Sequence, residues 1–197
     1  MAPKLPVTSV RNAGLSRRGM VSGLGAGLMA TALPLAPAQA ASAGEIEAGV
    51  DRALDHFFRR VPEGYDLVTR AAGVLVFPNV IKAGMGIGGE YGEGAMRIGG
   101  RTAAYYNTIS ASVGFQLGAQ ARTVIILFMT ADALARFHRV DGWKVGVDGS
   151  VTLVTIGAAG ALDTSKLNSP VIGFILDAKG LMYNLTLEGS KITRIRR

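Results

Sequence analysis

Residues 82–101, KAGMGIGGEYGEGAMRIGGR, hold eight glycines in twenty positions, and Gly84-Met85-Gly86-Ile87-Gly88-Gly89 is a formal match to G-x-G-x-x-G. Such a run can cradle a pyrophosphate, because bare glycines let backbone N–H groups reach the phosphates at the mouth of a helix. That chemistry needs a helix directly after the turn and an acidic residue about 20 positions on. Here the run continues into EYGEGAMRIGGRTAAYY, where Gly92, Gly94, Gly99 and Gly100 each disfavour a helix by about 1 kcal/mol relative to alanine. Around position 109 stand Thr108, Ile109 and Ser110, none acidic. A Gly-Lys-Ser/Thr phosphate loop does not occur either. In an extended strand Met85, Ile87, Gly89 and Tyr91 point one way and Gly84, Gly86, Gly88 and Glu90 the other, which leaves one face nearly bare. A bare face lets a sheet curl or another backbone come close, so the glycines read as architecture. The stretch SASVGFQLGAQA, 110–121, repeats the device with Ser, Gly and Ala.

Acid–base, nucleophilic and metal chemistry have little to draw on. The two histidines, His56 and His138, both fall on predicted helices, and the neighbours Asp51 and Asp55 of His56 are ordinary company on a helix surface. With no cysteine there is no thiolate ligand and no disulfide framework, and no G-x-S-x-G nucleophile motif occurs. Tyr105-Tyr106-Asn107 is the densest polar-aromatic group, and it reads as a strand whose tyrosines anchor the core edge with their hydroxyls in water. The reading is of a protein without catalysis, cofactor or metal.

Cations that could meet the phosphates of an anionic lipid surface are Arg59 and Arg60 at the end of the first helix, Lys82, Arg97 and Arg101 around the glycine-rich strands, and Arg194, Arg196 and Arg197 in the tail KITRIRR. Each has a plainer alternative. The helix stripe packs on a sheet, with Glu45, Glu47, Asp51 and Asp55 weakening any membrane contact; the charged strands are protected edges; the tail is a solvated end.

The elements that would carry these residues follow from period and punctuation. EIEAGVDRALDHFFRRV, 45–61, places Ile46, Val50, Leu54, Phe57, Phe58 and Val61 at helical spacing, with acids early and Arg59, Arg60 late, the order favoured by the helix dipole. A short second helix spans 65–71. GVLVFPNVIKAG predicts a strand broken at Pro78, and from 82 to 129 strand-like runs alternate with glycine turns. Thr130 reads as the cap of a helix over ADALARFHR. WKVGVDGSVTLVTIG returns to strand, 161–170 is loop-like, and VIGFILDAKGLMYNLTLEGSKITRI reads as three strands with turns at 177–180 and 188–190. The expected fold class is α+β: a curled, glycine-rich antiparallel sheet, barrel-like, packed with a few helices in a single domain.

The first 40 residues read as a cleavable leader. Ser16-Arg17-Arg18-Gly19-Met20-Val21 is a twin-arginine pattern, 19–44 is uncharged, and Pro34 and Pro37 precede Ala38-Gln39-Ala40, a small-x-small cleavage site. Residues 41–197 would be the mature domain, delivered to a bacterial periplasm. The leader's cations, Lys4, Arg11, Arg17 and Arg18, are unopposed, so removing them lowers the formal excess from +7 to +3. That is too weak a field for a nucleic-acid binder.

Phe77-Pro78, Lys82-Ala-Gly84, Gly92-Glu-Gly94, Tyr105-Tyr106-Asn107, the Gly114–Gly118 pair, Trp143 and Gly180-Leu181, in that order between Glu45 and Arg197, resemble the SYLF domain of the Ysc-type family. The resemblance implies a lipid-binding module. Related eukaryotic domains bind phosphoinositides, and some bind actin; neither ligand is expected in a periplasm. The expected role is therefore binding of phospholipid or a membrane surface in the cell envelope. The alternative is a structural or assembly protein whose glycine-rich faces meet a protein partner or a second copy.

Overall fold

The computed structural model describes residues 40–114, 120–154, 162–177, 180–181 and 186–197. The leader (1–39), Gly118, residues 155–157 of the predicted strand after Gly142, and positions 178–179 and 182–185 of the last predicted hairpins lie outside the described residues, as do the side chains of 83–87.

Helix α1, Ala43–Arg60, begins at a capping box: the Ser42 hydroxyl accepts from the Glu45 N–H, and the Glu45 carboxylate accepts from the Ser42 N–H at 2.8 Å. A second helix follows at Gly64–Arg70 (α2). Strands β1 (Gly73–Ile98), β2 (Arg101–Gly114) and β3 (Gln120–Phe128) come next, then α3 (Ala131–Arg139), capped by Thr130 as predicted. The chain continues through β4 (Trp143–Lys144), β5 (Thr152–Leu153), a 3-10 turn at Thr164–Asn168, β6 (Val171–Asp177), β7 (Gly180–Leu181) and β8 (Lys191–Ile195). The sheet order is β4-β8-β2-β1-β3-β6-β5, with β7 paired to β6.

Four expectations need correction. The sheet is mixed rather than wholly antiparallel, because β5 runs parallel to β6. Pro78 does not break β1. The register against β3 shifts between Phe77 and Val80, so the residue without an N–H sits where the ladder skips, and its carbonyl accepts from the Thr123 hydroxyl at 2.9 Å. The strand expected after Gly142 is two short pieces, separated by a turn in which Gly146 takes φ +87°. The loop-like tract at 161–170 contains the 3-10 turn.

Alternation along β1 separates two cores. Val74 and Val76 join Ala95, Ile125, Leu127 and Phe174 on the outer face under α1 and α2, where Phe57 meets Phe174 edge-on at 4.7 Å. Leu75 and Phe77 join Met96, Tyr106, Ile126 and Phe128 on the inner face, closed by Phe137 of α3 and by Trp143. The sheet curls because β1 folds over itself. A Cβ on Gly94 would sit 2.0 Å from the Val76 carbonyl oxygen, and one on Gly92 would sit 2.8 Å from Val80 Cγ2 and 3.0 Å from the Asn79 oxygen. Only glycine permits that approach, which bears out the architectural reading at these two positions. Gly99 and Gly100, both with positive φ, make the two-residue turn that returns β1 as β2.

Candidate functional site

Helix α1 covers only part of the outer sheet face. Its entry is tied to β1 by the Ala41 N–H, which donates to Glu93 Oε2 at 3.1 Å. Further along, the Tyr105 hydroxyl donates to Glu47 at 2.6 Å, and Arg97 donates to Asp51 at 2.7 Å. These contacts follow β1 from Glu93 toward the Gly99–Gly100 turn. In the other direction no described residue covers the outer face. Tyr91 stands opposite Ile109 and Gly89 opposite Ala111, all four side-chain positions facing outward by the period of two. Tyr91 is 47% and Ile109 50% exposed, and Ile81, opposite Ala121 on the same outer side, is 44% exposed. Lys191 of β8, opposite Ile109 and paired on its other side with Lys144 of β4, is exposed, whereas Lys82, next after Ile81, alternates to the other side. Paired exposed apolar residues on one sheet face differ from the scattered ones every surface carries, and they mark contact surfaces. The Tyr91 hydroxyl donates to Glu93 at 2.6 Å. Partial burial, then this carboxylate, push the phenol's pKa above its ordinary value.

The eight cations expected from sequence do not converge. Arg97 is only 18% exposed and is committed to Asp51, and Arg197 is committed to Glu93. Arg59 and Arg60 are exposed in the last turn of α1, about 25 Å along the helix from its start at 1.5 Å per residue. Arg101 is exposed next to the hairpin turn, Arg196 is exposed in the tail, and Lys82 is half-buried. Arg194 belongs to the opposite face: it pairs with Tyr106 and lines a groove of about 440 Å³ with Phe137, His138, Arg139 and Asp141. Burial raises the Tyr106 pKa, and the Arg194 charge partly offsets the rise. The Tyr105 hydroxyl is hydrogen-bonded to α1 rather than left in water. Sequence reading did not single out the Tyr91–Ile109 pair as a surface; the signal was the outward set Gly89, Tyr91, which needed β2's register to complete it.

Inside the curled sheet, Glu90 and Arg122 form an ion pair with side chains 9% and 11% exposed, and Ser110 also donates to Glu90. With Thr108 and Ser190 they line a cavity of about 10 Å³, room for roughly one water. Among the described residues no three His, Asp or Glu side chains converge on a point that could hold a metal ion, and no helix is long and apolar enough to cross a membrane.

Residues 109–196, from mid-β2 through β8, match the family model Ysc84, described as a Las17-binding protein actin regulator. No curated protein matches the chain.

Proposed function

Residues 109–196, a little under half of the chain, match the Ysc84 family model, and on that likeness we propose that the protein is a non-catalytic binder of anionic phospholipid surfaces in a bacterial cell envelope. The family is associated with lipid binding and actin regulation. The observation that carries the reading is the outer face around Tyr91 and Ile109, exposed among the described residues, with Lys191 beside Ile109. Each of these two side chains is already half buried, so sinking the remainder into a head-group region contributes roughly 1 kcal/mol. Each amine beside an anionic surface contributes about 1 kcal/mol more. Apolar and ionic terms are therefore comparable, and binding should be weakened by salt but not abolished. Arg59, Arg60, Arg101 and Arg196 add attraction over about 8 Å at physiological ionic strength. Export is part of the reading: cleavage after Ala40 would leave as the new start Ala41, whose backbone is tied to the sheet.

The test is partition onto anionic and neutral vesicles at low and high salt. Tyr91→Asp with Ile109→Asp should lower binding to anionic vesicles at least tenfold; both side chains are half buried and Tyr91 loses its bond to Glu93, so the unfolding temperature falls somewhat and binding is compared well below it, where the variant is folded. Lys191→Glu should weaken binding to anionic vesicles and reduce the salt sensitivity, with the remainder carried by the arginines elsewhere on the surface. Equal binding by all forms would reject this face as the contact. Absence of binding by the unsubstituted protein would favour the assembly-protein alternative.

A further inference from the structure

We propose that Glu93 is the docking site for the α-ammonium group that leader removal creates at Ala41, so that processing locks the start of the chain onto the sheet. The inference rests on the cleavage reading above. The Glu93 side chain is 8% exposed, as deeply buried as Glu90, and both of its oxygens are engaged by distant parts of the chain. Oε1 accepts from the Tyr91 hydroxyl and from the Arg197 guanidinium. Oε2 accepts the Ala41 backbone N–H at 3.1 Å. Ala41 is half-buried against the outer core, whereas Ala40 is exposed, so the bond between them is within reach of a peptidase while the nitrogen it would free already lies on Glu93.

Hydrolysis of the Ala40–Ala41 peptide bond by a leader peptidase places the hydroxyl of water on the Ala40 carbonyl carbon and its hydrogen on the Ala41 nitrogen. The leader departs as a carboxylate, and the new amine takes up a proton. A neutral N–H donor to Glu93 then becomes a cationic one, and charge-assisted hydrogen bonds are roughly twice as strong as neutral ones. Two charges oppose it. The first turn of α1 presents its positive dipole end, and Arg197 shares the carboxylate. The dipole amounts to about half a charge, whereas Glu93 is a full charge at hydrogen-bond distance, and Glu45, bound to the Ser42 N–H next door, adds a second. Arg197 contacts the other carboxylate oxygen. A carboxylate has about four lone-pair sites and can serve both. The net effect stabilises the ammonium, and its pKa rises above the ordinary 7.7–8.0 or so of an α-amino group. A raised value gives stability that is fully present below that range and is lost as pH rises through the folded-state pKa.

The experiment uses the exported protein, its N-terminus read by mass spectrometry. Its α-amine is labelled by reductive ¹³C-methylation and titrated by NMR, and its unfolding temperature is compared with that of the selectively N-acetylated form from pH 6 to 11. The expected results are a titration midpoint above the reference range and a free-amine form that unfolds on the order of 2–4 °C higher at pH 7, the gap closing in alkali. Glu93→Gln should move the midpoint back and close the gap at every pH, whereas Glu45→Gln should leave most of both. A reference midpoint with equal unfolding temperatures would overturn the proposal. A mature start other than Ala41 would reject the cleavage reading instead. The Ala41 amine would then be exposed in vitro with a sequence-specific protease, and the same titration would decide whether Glu93 receives it.

Discussion

At Gly94 a single hydrogen decides whether the sheet can curl. The missing Cβ would stand 2.0 Å from the Val76 carbonyl oxygen, a backbone atom that cannot swing aside as a side-chain tip can. Gly94→Ala therefore has to push the two halves of β1 apart, and it should cost at least the roughly 1–3 kcal/mol of an overpacked core. Gly89 lies on the same strand with the opposite parity. A Cβ there would meet only the Ser110 oxygen, at 3.6 Å, an ordinary contact. Gly89→Ala should be neutral or stabilising by about 0.4–1 kcal/mol, because it removes backbone freedom from the unfolded chain. Denaturant unfolding of the two variants side by side checks this: equal losses would mean that glycine content, and not the approach to Val76, matters. The alternation itself was legible in the sequence, since parity is local. What lay opposite the bare face was not, because Val76 is brought there by a curl that the string of letters does not record. Charge had the same limit. Arg97 and Arg197 were visible as cations, but Asp51 and Glu93, which occupy them, are 46 and 104 positions away.

Among the elements, the helices were the most legible because their signals are short-range. Ser42 and Glu45 are three residues apart, as are Thr130 and Ala133, and each pair makes its cap contact directly. Removing the first cap should have a defined effect. Ser42→Ala leaves an N-terminal donor of α1 without its acceptor and should cost about 1 kcal/mol, read as a lower midpoint in thermal or denaturant unfolding. It should also alter the acid side of the stability profile. The Ser42 hydroxyl, then its N–H, hold the Glu45 carboxyl below its ordinary value. A lowered value contributes stability above the unfolded carboxylate range that is lost as pH falls through the folded-state pKa. The gap between wild type and Ser42→Ala should therefore narrow below about pH 4; a gap constant from pH 7 to pH 3 would show that the box carries no charge-dependent part. Strands were harder to read. Pro78 looked like an end because proline cannot donate to a ladder, yet the register shift beside it lets β1 run on for 26 residues. The parallel β5–β6 pair joins segments whose association is a matter of topology, not of local pattern.

For the whole molecule, one curl produces two unlike surfaces. It turns Glu90, Gly92, Gly94 and Met96 inward and leaves Gly89 and Tyr91 outward, so the closed interior and the proposed lipid face are two sides of the same strand. Among the described residues the interior holds an ion pair between Glu90 of the returning half of β1 and Arg122 of β3, whose ladder partner is Val80 of the first half. The pair thus clips the curl shut across its inside. Its net worth is small, because removing two charges from water offsets most of their attraction. The cost of breaking it is large, because Glu90→Gln would leave the Arg122 guanidinium beside a cavity with room for about one water. Loss of one partner of a buried pair typically costs about 3–5 kcal/mol, whereas apolar replacement of both is often neutral. Glu90→Gln should therefore destabilise strongly, and Glu90→Leu combined with Arg122→Met should recover most of that loss. If the double variant also keeps its binding to anionic vesicles, the outer face needs the curl and not the charges that clip it. A double variant as unstable as the sum of the two singles would show that each side chain is held for its own packing, and that the pair does not act as a clip.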